Sequence, residues 1–347
     1  MSSDRKAELR ALAKETFYHA FDTYMRKQSL SGDSQSSPRA EMAVMVLGVG
    51  FPLDEVRPLS CQAVGHDYDD LDNTEVNDVN GDYALQLVDS LAALAVLGDR
   101  DRFDVSVRQA IASVHFDRDV TVQVFEVTIR MLGGLLAAHQ IATDTTRSFF
   151  LPWYNNELLA LAADLGARLL PAFATPTGLP LARVNLQRGI ARSDNTETCA
   201  AGAGSLVLEF AVLSRLTGNP AFELAARRAF FAVWNRRSDL NLVGNTIDAV
   251  TGQWRHAVGG IGAGIDSFYE YAAKAYVLLG EDEWWRTWEN GNAALMRHVR
   301  VADGFLVSRV VFRRATQSLH EGADSSWALR AVSGGEYAQR PSRERDN

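Results

Sequence analysis

Apolar residues recur at helical spacing along most of this chain, and polar residues collect on narrow faces between them. That period predicts helical segments near residues 5–27, 82–97, 103–115, 121–140, 155–171, 201–217, 220–236, 263–279 and 282–299. Strand-like alternation is confined to pieces such as "LVGNTIDAVTGQW", which reads as a hairpin turning at Thr251 and Gly252. Three helix ends share one scheme: "VLGDRDRF", "RLTGNPAF" and "LLGEDEWW" each give Leu, Gly, a polar residue and then an aromatic. Glycine supplies a left-handed helix end, and Asp, Asn or Glu opens the next helix, as in a tight αα-hairpin. The repetition predicts an all-α ring or solenoid of helix pairs.

Several of these helices are apolar on most sides and carry a polar stripe. In "VQVFEVTIRMLGGLLAAH", Gln123, Glu126, Arg130, Gly133 and Gly134 fall on one face, and the rest is Val, Phe, Ile, Met and Leu. Asp82, Gln86 and Asp89 form a second stripe, Ser205 and Glu209 a third, and Asp266, Glu270 and Lys274 a fourth. Some of this has plain structural readings. Glu126 and Arg130 stand at i,i+4 and can satisfy one another, and Asp82 and Asp266 follow glycines where a carboxylate can cap a helix. Buried carboxylates cost several kcal/mol unless paired or wet, however, so four acidic stripes are most economically gathered around one cavity. In a ring of helix pairs that cavity is the lumen, and a polar hollow with aromatic walls suits a carbohydrate. Two carboxylates flanking a glycosidic oxygen are the minimum machinery for glycoside hydrolysis.

Composition narrows the classes without changing this picture. The 347 residues are 47% hydrophobic and 22% charged, which fits a chain with a sizeable core. A formal charge of -8 argues against a nucleic-acid or anionic-membrane surface, and the basic run "RVVFRR" reads as a solvated edge. Cys61 and Cys199 are too few for a disulfide scaffold and lack metal-ligand spacing; one bridge or two free thiols are both compatible with the sequence. The N-terminal "MSSDRKAELRALAKETF" has no apolar core of a signal peptide, "AEMAVMVLGVGF" is too short to span a bilayer, and no transmembrane segment is evident. Residues 28–39, "QSLSGDSQSSPR", read as a Ser-rich linker and residues 333–347 as a disordered tail. "GIGAG" follows no strand and so does not match a phosphate-binding loop.

The ordered segments "ETFYHAFDTYM", "VRPLSC", "LVDSLAALAVLG", "FDRDVTVQVFEVTIRMLGGLLAAH", "ETCAAGAGSLVLEFAVLSRLTGNPAFE", "NTIDAVTGQW" and "GIGAGIDSFYEY" together resemble the class I α-mannosidases of glycoside hydrolase family 47. The likeness is nearest to the ER degradation-enhancing mannosidase-like branch and runs from about residue 13 to 290. The resemblance implies an (α/α)7 barrel and an inverting α-1,2-mannosidase that uses carboxylates and a calcium ion on high-mannose N-glycans of misfolded glycoproteins. It implies an endoplasmic reticulum lumen setting, although no signal peptide is written in this sequence, and an ER oxidoreductase as a candidate partner. In "VFEVTIR", Glu126 takes the place of the proton donor and Arg130 that of its neighbouring arginine. In "GIDSFYEY", Asp266 falls on a second catalytic carboxylate and Glu270 on a pocket acid, while Asp89 is expected to contact substrate.

The sequence also departs from the family pattern. Roughly nine of the fourteen barrel helices are visible, so the expectation is an incomplete barrel over residues 1–300 with a linker inserted at 28–50, then a divergent tail at 301–347. The "RPE" segment with a third catalytic carboxylate, the "ESFFL" helix and the calcium-holding threonine are not found, so no metal ligand is assigned in this chain. Ala92 and Ala93 stand where relatives read "SLDTL". In the mannosidase-like branch the Cys61 position pairs with a C-terminal cysteine that has no counterpart here. A truncated product without activity, or a non-catalytic glycan-binding or chaperone-like module, is the alternative expectation.

Overall fold

The computed structural model describes residues 1–29, 54–57, 59–190, 195–300, 310–313 and 328–331. Most of the expected insert and tail therefore lie outside the described residues. Within them, every predicted helical segment contains a helix. Helix α1 (Ser3–Ser29) buries Phe21, Tyr24 and Met25, and a single turn, α2 (Thr74–Asn77), comes next in a loop. Helices α3 (Leu85–Asp89), α4 (Leu91–Leu97) and α5 (Arg100–Ser113) succeed it, then α6 (Val124–Val127), a π-helical segment (Thr128–Leu132) and α7 (Gly133–Thr143). The remainder are α8 (Glu157–Leu169), a 3₁₀ turn (Leu170–Phe173), α9 (Ala200–Gly204), α10 (Val207–Thr217), α11 (Ala221–Trp234), α12 (Phe268–Leu279) and α13 (Asp282–His298).

The three repeated helix ends behave as their residues require. Gly98, Gly218 and Gly280 close α4, α10 and α12 at φ 81°, 75° and 75°, a region that costs other residues energy. Asp99 then accepts the Arg102 N–H to cap α5, and Asn219 accepts the Ala221 N–H at the start of α11. These turns stack α4 with α5, α10 with α11 and α12 with α13, and α7 packs on α8 across a longer connection, residues 144–156. Helices α4, α7, α10 and α12 each touch the next and form an inner layer, with α5, α8, α11 and α13 behind it. One continuous core fills the space between the layers, including Leu91, Met131, Phe210, Phe230, Phe268 and Trp284. Ala200–Thr217 is apolar and long enough, by composition, to cross a membrane, but 67% of it is buried in this core and a break near Ser205 divides it.

Short antiparallel strands sit at the helix entries. Strands β1 (Glu55–Arg57) and β2 (Gln62–Val64) pair with each other, as do β3 (Thr121–Gln123) and β4 (Arg183–Asn185). The predicted hairpin is present as β6 (Thr246–Asp248) and β7 (Trp254–His256), with Asp248 accepting the Val250 and Thr251 N–H groups of the turn. A strand not expected from periodicity, β5 (Glu197–Cys199), adds to β6 with Thr198 opposite Ile247. In the region expected to be a divergent tail, β9 (Val310–Arg313) joins β8 (Val258–Gly259) and β10 (Ala328–Ala331). Two strands feed inner helices in the same way: β3 runs into α6 and β5 into α9.

Candidate active site

Glu126 stands in the first turn of α6, where the Gln123 side chain accepts the Glu126 N–H at 2.8 Å and fixes the turn. Behind it Val124, Val127, Met131 and Leu132 are buried, so the apolar faces are spent on the core and the polar stripe turns away from it. One turn later the helix widens into the π segment, and the Thr128 hydroxyl donates back to the Val124 carbonyl at 2.7 Å. The extra residue of a π turn rotates the downstream helix by about 100° relative to a regular one. As a result Gly134 packs on Val88, and Gly133 faces Glu209 on α10.

Arg130 lies in the π segment and joins two of the expected residues. Its Nε donates to Glu126 Oε2 at 2.8 Å and its Nη1 lies 3.5 Å from Asp89 Oδ2, at the end of α3. Glu55 and Gln86 share with Asp89 and Arg130 a cavity of about 220 Å³. One guanidinium therefore serves several carboxylates, which dilutes its hold on any one of them. Burial pushes the Asp89 carboxyl up, against the pull of Arg130. Glu126 keeps Oε1 free of the arginine, the arrangement a carboxyl needs if that oxygen is to carry a transferable proton.

A third acid belongs to the same layer and was only partly legible: Glu209 reads from the sequence as part of a polar stripe but not as a site residue. Tyr271 of α12 donates to its Oε1 at 3.0 Å, and its Oε2 is buried with no hydrogen-bond partner. Burial pushes the Glu209 carboxyl up to about 7, opposed by the Tyr271 hydrogen bond. The only signal for it in the sequence is its place with Ser205 on the polar stripe of an apolar helix.

Asp266 and Glu270 are placed differently from the even stripe expected for them. Helix α12 begins only at Phe268, so Asp266 lies in the turn before it, exposed, accepting from the Gly264 and Ser267 N–H groups at 3.2 and 2.6 Å. Glu270 is on the helix and pairs with Lys274 at 2.5 Å. Neither bonds to Glu126; the link runs through the backbone, because α9 packs against both α6 and α12. Asp82, expected on the stripe of Asp89, also precedes its helix, at φ 55°, and accepts the His66 N–H and the Tyr68 hydroxyl. Cys61 and Cys199 are both free thiols.

The calcium ion implied by the sequence resemblance finds no cage in this part of the molecule. Among the described residues no three His, Cys, Asp or Glu side chains are grouped to hold an ion, whereas Ca²⁺ takes six to eight oxygens. Glu126 is already committed to Arg130, and burial favours the neutral form of the Glu209 carboxyl, which is a poor ligand for a hard cation.

The sequence and the architecture have counterparts among known proteins. The family model for glycosyl hydrolase family 47 matches residues 47–338. This chain belongs to that family. It is 45% identical over 322 residues to ER degradation-enhancing alpha-mannosidase-like protein 1 of Schizosaccharomyces pombe, covering 90% of this chain and 38% of that protein. It is 36% identical over 327 residues to ER degradation-enhancing alpha-mannosidase-like protein 2 of Homo sapiens, covering 94% and 50%. The family 47 chain thus spans half or less of the length of these relatives. Its fold resembles an alpha-1,2-mannosidase from Trichoderma reesei with a TM-score of 0.68 at 24% identity, over 86% of this chain and 58% of the other. The mostly helical α/α barrel class is the one expected from the sequence.

Proposed function

We propose that this family 47 chain is an inverting α-1,2-mannosidase-type glycoside hydrolase that trims high-mannose N-glycans on misfolded glycoproteins in the endoplasmic reticulum. The observation that carries the reading is the Asp89–Arg130–Glu126 cluster on the inner helices, in a chain whose relatives are named for ER degradation and α-mannosidase. Glu126 protonates the leaving glycosidic oxygen through the carboxyl oxygen that Arg130 leaves free. Arg130 holds the donor in place and balances the charge left behind. Asp266, held in its turn by N–H donors, is the counterpart carboxylate for a water attacking from the opposite face; inversion asks for roughly 6.5–9.5 Å between such groups. Glu270, Asp89 and Glu209 bind sugar hydroxyls along the inner layer. The partial barrel is assigned to residues 1–300 and the divergent segment to 301–347.

Incubation of the purified chain with a Man9 glycan, with added calcium and with chelator, tests this reading. Release of mannose, first seen as the β-anomer by proton NMR, is the expected result. Glycan binding without release would establish the rival reading of a non-catalytic glycan-binding module. Absence of both would end the proposal.

A further inference from the structure

The junction between α9 and α10 contains a fully buried hydroxyl. Ser205 and Leu206 leave helical geometry there, at φ -91°, ψ 50° and φ -124°, ψ -13°, and Ser205 has no exposed surface. A buried hydroxyl is costly without a partner. Ser205 Oγ lies 2.8 Å from Ser267 Oγ, and Ser267 Oγ donates to Asp266 Oδ1 at 3.0 Å. A carboxylate can only accept, so the single Ser267 hydroxyl proton is committed to Asp266. The proton between the two serines must then come from Ser205. The order of donation is fixed as Ser205 to Ser267 to Asp266.

The contact is built by the backbone around it. A Cβ on Gly204 would stand 2.5 Å from Phe268 Cδ2, so only glycine lets α9 come this close to the start of α12. Phe268 cannot retreat, because it stacks on Phe230 with centroids 4.5 Å apart. The helix break, the glycine and the buried serine all converge on the residue beside Asp266. The Gly264 and Ser267 N–H groups hold Asp266 Oδ2 and Oδ1 at 3.2 and 2.6 Å, and the Ser267 hydroxyl adds a further donor on Oδ1 whose direction Ser205 sets. Cys199, on the strand leading into α9, lies close enough to feel the Asp266 charge; burial pushes its thiol up and Asp266 adds to the rise.

Resting on the reading of Asp266 as a catalytic carboxylate, we propose that Ser205 is a positioning residue that orients Asp266 through Ser267. Ser205 touches no reacting atom. Each hydroxyl in the chain polarises the next, which strengthens the final bond to Asp266.

Carbon-detected NMR titration of the Asp266 carboxyl decides the matter independently of turnover. Ser267→Ala, which removes a hydroxyl donor from the carboxylate, is expected to raise its midpoint. Ser205→Ala is expected to raise it by less, and Ser205→Thr, which keeps the hydroxyl, to leave it near wild type. On a Man9 glycan Ser205→Ala should lower kcat severalfold with KM within about twofold, and the acid limb of the pH profile should move up with the NMR midpoint. An unchanged midpoint in folded Ser205→Ala and Ser267→Ala overturns the proposal, as does a fall in kcat without any shift of the limb. Loss of all mannose release in the wild type would remove the mannosidase reading, while the titration would still report on the tether.

Discussion

Tyr271 donates its hydroxyl to Glu209 Oε1 at 3.0 Å across the contact between α10 and α12, and the other oxygen of Glu209 is buried with no partner. Such a carboxyl is stable neutral and costly ionised. Burial pushes it from 4.5 up to about 7. The native state therefore holds a proton that the unfolded chain has released between those values, so the contribution is full below about 4.5 and is lost as pH rises through 7. Glu209→Gln stays neutral and should abolish this loss, worth on the order of 3 kcal/mol at pH 8. Urea unfolding at pH 5 and pH 8 measures it. Equal slopes against pH in wild type and variant would contradict the assignment.

Glu126 and Arg130 separate into different kinetic defects. Glu126→Gln keeps the shape and the Arg130 contact but has no proton to give, so kcat for mannose release should fall by about 10² to 10⁴ with glycan affinity nearly unchanged. Arg130→Ala leaves Asp89 and Glu126 facing one another without their shared cation. Its expected defect includes stability as well as rate, because an ion pair loses one partner only. Calorimetric glycan binding beside the rate assay distinguishes the two. Full activity in Glu126→Gln would remove that residue from the donor role.

The helices were legible because their cause is local. Apolar period and helix-end glycines such as Gly98 and Gly218 act within a few residues, and both are written in the sequence. The interruptions were not legible, because their causes lie elsewhere in the chain. The late start of α12 and the break at Ser205 depend on Gly204 meeting Phe268, and the displaced stripe of Asp82 depends on Asp54. Of the candidate site, Glu126, Arg130 and Asp89 lie together, and spacing alone foresaw the Glu126 to Arg130 pair. Glu209 escaped assignment because nothing near it in sequence announces that Tyr271 and Gly133 will close over it.

The two adjacent glycines after the π segment should respond oppositely to a methyl group. At Gly133 the nearest atoms to an added Cβ are 3.6 Å away or more, an ordinary contact, so Gly133→Ala should hold stability or raise it by up to about 1 kcal/mol through helix propensity. At Gly134 the added Cβ would meet the Val88 carbonyl oxygen at 3.0 Å, and backbone cannot rotate aside. Gly134→Ala should cost about 1–3 kcal/mol. Thermal and urea melts of the pair measure this, and the reverse order would mean that the helix is not rotated by a π turn here.

Asp54 accounts for the entry to α3, and hence for the position of Asp89. Its carboxylate is fully buried and accepts the N–H groups of Gly81, Asp82, Tyr83 and Leu85 at 2.6, 2.5, 2.9 and 3.0 Å. Those bonds hold Asp82 and Ala84 at φ 55° and 60°, conformations that non-glycine residues adopt only when the surroundings compel them. Burial pushes the carboxyl up to about 6, against the pull of the Leu85, Asp82 and Gly81 N–H groups. Asp54→Ala strands four buried donors, each costing about 1–3 kcal/mol before relaxation. The expected outcome is a loss of at least about 3 kcal/mol, with the strained turn relaxing and Asp89 drifting from Arg130. Hydrogen exchange at residues 81–85 should accelerate well before the exchange of α10 and α11 does, because only the clamp has been removed. Unchanged protection of those amides in Asp54→Ala would show that the turn is held by something other than this carboxylate.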